Sequence, residues 1–114
     1  MIAALLAALQ LATMPVPAPS SPEAAKLDGI ARSFVTLSLE VENYDPGFVD
    51  AYYGPPEWQT AAKAKPRTAD QLKAEAARLI AAANAVNPAR LNAIEKKRRA
   101  YLMGQSKAAA VRLD

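Results

Sequence analysis

Apolar residues along this chain recur mainly with a helical period. Leu27, Ile30, Phe34, Leu37, Val41 and Tyr44 follow one another at spacings of three, four, three, four and three, which places them on one side of a helix. Val35 and Leu39 widen that stripe, as happens when a helix packs against more than one neighbour. Ser21-Pro22-Glu23 marks its start: the serine caps, the proline fits the first turn, and the glutamate faces the positive end of the helix dipole. Gly29 is its weak point, costing about 1 kcal/mol against alanine in a helix interior. Asp45-Pro46-Gly47 breaks this helix and predicts a second, short one carrying Phe48, Val49, Tyr52 and Tyr53 and stopping at Gly54. Pro55-Pro56-Glu57 opens another short helix with Trp58 on it, which fades at Lys65-Pro66. Thr68 and Gln71 have capping-box spacing and launch a helix to about Val86, with Leu72, Ala76, Leu79, Ile80 and Ala83 as its inner face. Asn87-Pro88 closes that helix and caps a last one, from Ala89 onward through Leu91, Ile94, Arg98, Tyr101, Leu102, Gln105 and Ala109. No run alternates with period two and β-branched residues are scarce. The expectation is an all-α antiparallel bundle of about three long and two short helices.

Ahead of the bundle the pattern changes. Ile2 to Ala12 is apolar except for Gln10, an 11-residue run that is short for a bilayer core, which needs about 20. It matches the apolar stretch of a secretory signal, about 7–15 residues long. Proline and small residues follow, with cleavage expected after Ala18 or after Ser20, although no lysine or arginine precedes the run. Residues 1–20 are therefore read as a signal peptide and 21–114 as the helical domain, exported to the periplasm or the medium with no stable membrane anchor.

Composition narrows the chemistry. The chain has no cysteine and no histidine, which removes disulfides, thiolates, imidazole bases and the commonest zinc ligands. No catalytic, metal or cofactor-binding residue is assigned, and any acid–base chemistry would rest on carboxylates. Alanines number 27, so the 52% apolar fraction builds helix more readily than core. The last helix runs into Asp114 without a glycine, asparagine or proline near its end, and an acidic residue suits the negative end of a dipole poorly. That ending reads as the front part of a longer domain.

Charge is divided along the chain: residues 23–58 carry a net of −5 and residues 59–114 a net of +8, so the two parts can attract. Glu95-Lys96-Lys97-Arg98-Arg99 is the sharpest basic cluster. It reads either as a phosphate or nucleic-acid contact or as a solvated helix face, and an exported protein favours the latter. Arg98, four residues after Ile94 and three before Tyr101, points toward the apolar side and needs a carboxylate there. Of Asp45, Asp50, Glu40 and Glu42, Asp50 is the expected partner, tying the aromatic turn to the last helix.

That turn, Tyr44 to Trp58, holds five of the seven aromatic residues. Tyr44, Asp45, Asp50, Tyr52, Tyr53 and Trp58 form either a platform for a sugar or peptide ligand or a packed corner where helices change direction. Asp45 and Asp50 are five positions apart, about 140° round a helix, and do not converge as an acid–base pair there.

FVTLSLEVENYDPGFVDAYYGPPEWQ, together with RRAYLMGQSKAAAVRL near the end, resembles the N-terminal region of an uncharacterised bacterial family of larger, mostly helical, zinc-metallopeptidase-like proteins. The resemblance spans about residues 27–114 and is most specific from Asp45 to Trp58. It implies that the family's His/Glu metal motif lies well downstream, so no catalytic residue carries over to this histidine-free chain. It also implies that the partner of this region is the downstream part of the same protein.

Overall fold

The computed structural model describes residues 18–114, and within them every regular element is helical. The expected signal run Ile2–Ala12 lies outside the described residues. Four α-helices follow one another: α1 Pro22–Val41, α2 Pro56–Ala64, α3 Ala69–Ala85 and α4 Ala93–Arg112, with a 3-10 turn at Pro88–Arg90 between α3 and α4.

Local signals account for where most of these begin. The Ser21 hydroxyl accepts the Ala24 amide and Pro22 occupies the first turn of α1. At α3, Thr68 and Gln71 close a reciprocal capping box, each side chain taking the other's backbone amide. Asn92 and Glu95 repeat the device at α4. That cap moves the start of α4 from the expected Ala89 to Ala93. Asn87 instead caps only the 3-10 turn, and Leu91 behind it is buried.

The three long helices run up, down and up. Glu23 near the start of α1 accepts the amide of Asn87 just beyond α3, while Glu40 near its end meets Arg67 just before α3. Lys73 on α3 reaches Asp114 at 2.6 Å. The terminal acid is thereby held by a cation from the neighbouring helix, whatever its own dipole disfavours. α3 thus opposes both partners, and α1 and α4 run parallel. α3 and α4 pack most extensively, α1 lies against both, and α2 rests chiefly on α1.

The core is built on α1, eleven of whose twenty residues are buried. Leu27, Phe34, Leu37 and Val41 meet Leu72, Leu79 and Leu102, all almost fully enclosed. Alanines 24, 31, 62, 76, 83 and 109 complete it, letting helices approach closely where little volume is available. On α4 the buried seam is Leu102, Ser106 and Ala109, continued by Leu113 just past its end. Ile94, expected on that face, lies in the first turn of α4 and is 78% exposed, while Leu91, just before the helix, is buried.

The short helix expected over Phe48–Tyr53 does not form. That stretch is a loop of turns and bends between α1 and α2. Its amides are claimed from outside any helical ladder: the Glu42 carboxylate accepts Gly47 N–H and Val49 N–H, both at 2.8 Å. Gly47 sits at φ +94°, a backbone region that side chains disfavour.

Candidate functional site

The aromatic turn is mostly turned inward. Phe48, Val49, Tyr52 and Trp58 are half-buried against the core. The Tyr52 hydroxyl donates to the Pro55 carbonyl at 2.7 Å, and burial followed by the nearby Glu57 charge raises its pKa. Gly54 makes room for that ring: a Cβ there would lie 2.6 Å from the Tyr52 oxygen. Tyr44, predicted on the α1 face, falls just past the helix end and is 46% exposed, its hydroxyl donating to the Arg67 carbonyl at 2.6 Å. Tyr53 is 64% exposed.

Asp45 and Asp50 do share a surface. Both line a polar hollow of about 360 Å³ with Phe48, Gln105 and Arg112, and Arg112 lies 3.7 Å from the Asp45 carboxylate. The predicted Arg98–Asp50 pair is absent: Arg98 binds Asp28. The cause is the parallel run of α1 and α4. Arg98 near the start of α4 lies beside the first half of α1, where Asp28 is, whereas Asp50 follows the far end of α1.

The basic cluster is largely consumed inside the fold. Glu95 takes the Ser20 hydroxyl and the Asn92 amide, and these bonds hold its carboxyl below the ordinary carboxylate range. Arg99 donates to the carbonyls of Ala83 and Asn84, satisfying the end of α3. Lys96 and Lys97 remain exposed on the surface.

A larger site was not foreseen. An open groove of about 900 Å³ lies where α2 rests on α1 but stands away from α3. Its floor carries Arg32, Thr36 and Glu40, one row of α1 at successive fourth positions. Trp58, Ala61 and Ala62 of α2 form one wall, and Glu75 of α3 stands opposite. The Asn43 side chain fixes α2 on α1 by donating to the Ala62 carbonyl at 2.9 Å.

One end of the groove is closed by a charge-assisted clamp. Glu40, 5% exposed, accepts the Arg67 backbone amide at 3.0 Å, its Nη2 at 2.6 Å and its Nε. Glu40 bonding in turn raises the Arg67 pKa further. At the other end the Arg32 guanidinium lies 6.0 Å from the Trp58 ring centroid. From the sequence Glu40 is only one of four candidate partners for Arg98, yet it is a carboxylate inside the apolar run Leu37–Val41. That position, more than its type, was the signal of a buried ion pair. Comparison with protein-family models, curated proteins and solved structures finds no match.

Proposed function

We propose that this chain is the exported, non-catalytic helical front of a larger metallohydrolase-like protein, and that it works by docking a further polypeptide segment. The observation that carries this reading is the groove between α2 and α3, open beside an otherwise assembled bundle and walled by Trp58 and alanine methyls. Of the three carboxylates lining it, Glu40 is held by Arg67 and Glu75 by Arg78, which leaves Glu57 on the exposed side of α2. A carboxylate already accepting several hydrogen bonds is a poor proton carrier and a good strut.

Export is supported by the apolar leader. Among the described residues no helix is long and apolar enough to cross a membrane. The use of Arg98 and Arg99 inside the fold supports a solvated or structural basic cluster over a nucleic-acid contact. A second reading, a small stand-alone periplasmic binding protein using the turn Tyr44–Trp58 on a sugar or peptide, draws on the exposure of Tyr53 and Tyr44. It is the weaker reading, since Phe48 and Tyr52 serve the core.

The coding sequence beyond the Asp114 codon separates the two. A continuing amphipathic helix with a His/Glu metal motif further on is the expected result, and an immediate stop codon would favour the stand-alone protein. Export is tested by fusing the leader to a reporter active only outside the cytoplasm, where silence would remove that part.

A further inference from the structure

We infer that the groove between α2 and α3 receives an acidic, amphipathic peptide segment about two helical turns long. This rests on the docking reading above and names its ligand. The length follows from the floor, since Arg32 to Glu40 is eight residue steps of helix, about 12 Å. The apolar part follows from the wall, where the half-buried Trp58 ring and the exposed Ala61 methyl line the opening and Ala62 is packed into the core behind them.

The sign of the ligand follows from the charges left over. Within the groove Glu40 is neutralised by Arg67, and Glu75 by Arg78 at 2.6 Å and 2.9 Å. Arg32 and Lys65 remain: both are exposed, and neither side chain has a hydrogen bond or ion pair among the described residues. Glu57 is the one remaining anion, beside Trp58. Among the described residues two cations without a carboxylate partner thus face one carboxylate without a cation, with Arg32 at the Trp58 end and Lys65 toward the Arg67 end. Packed near the indole, the Arg32 guanidinium presents a planar pair of donors suited to a carboxylate. A helix with apolar residues on one side and carboxylates two turns apart would cover Trp58 and meet both cations.

Trp58 is the only tryptophan in the chain, so its emission reports on the groove alone. The chain of residues 1–114 is titrated with a synthetic amphipathic peptide of leucine and glutamate, with its lysine-for-glutamate counterpart, and with a neutral oligosaccharide. The glutamate peptide is expected to blue-shift Trp58 with salt-sensitive affinity. Arg32→Gln and Lys65→Gln should each weaken it about threefold and together about tenfold, whereas Glu57→Gln should tighten it. Both cations are exposed, so circular dichroism should show the variants folded as the parent. Equal response to the lysine peptide, or indifference to the double substitution, overturns the acidic ligand while leaving a docking groove. Response to the oligosaccharide alone, or to no probe, overturns the docking reading as well.

Discussion

Glu40 shows how much one side chain can organise in a small bundle. Its side chain is enclosed yet accepts from both the backbone and the guanidinium of Arg67, fixing the linker that leads into α3. Arg67→Ala would leave that charge enclosed without its main partner. The expected cost is about 2 kcal/mol in urea unfolding, near the lower end for a buried charge because Arg67 is itself partly exposed. Glu40→Gln should cost less, since a neutral amide needs less compensation. Glu75 gives a pH signature. The Arg78 hydrogen bond holds its carboxyl below the ordinary value of 4.5, so its folded pKa is lower than its unfolded one. The stability it contributes is present above about pH 4.5 and is lost as pH falls through the folded value. Arg78→Ala should therefore flatten the acid limb of a urea-midpoint profile taken from about pH 5 down to about pH 3, with no change in slope at neutral pH.

At the scale of elements, helix starts were legible and the loop was not. Ser21, Thr68 with Gln71, and the proline at Pro56 act within one turn of the helices they start, so residue order alone identifies them. The Asn92–Glu95 box has the same form and starts α4 in place of the expected Asn87-Pro88, an asparagine three residues before a glutamate being the signal that marks it. Phe48, Val49, Tyr52 and Tyr53 had helical spacing, but two amides where that helix would start, Gly47 and Val49, go to Glu42, five and seven residues away. Glu42→Ala should accelerate amide exchange at Gly47 and Val49 by at least tenfold and cost about 1–2 kcal/mol, with exchange in α3 unchanged. If both amides exchange as before, the loop is held by its packed rings instead. Arg99 is the reverse case: a residue assigned to a charged surface that caps the end of another helix.

For the molecule as a whole, a core of leucines and alanines around one central helix leaves little stability in reserve. Domains of this size are stable by roughly 5–15 kcal/mol. Phe34, fully enclosed on α1, belongs to the core that α1 shares with α3 and α4. Phe34→Ala should remove about 3–5 kcal/mol, seen as a large drop in melting temperature by circular dichroism, and a shift of only a degree or two would mean the core is not shared. Residue order by itself determined that these segments are helices, where α1 and α3 start, and which of their faces turn inward. It could do so because capping, proline geometry and apolar spacing operate over one or two turns. Tertiary structure alone decided that Arg98 meets Asp28, that Asp45 and Asp50 share a hollow, and that α2 stands off α3 to leave a groove. Ion pairs and cavities depend on which groups distant helices bring within a few ångströms, and here the parallel course of α1 and α4 sets those distances.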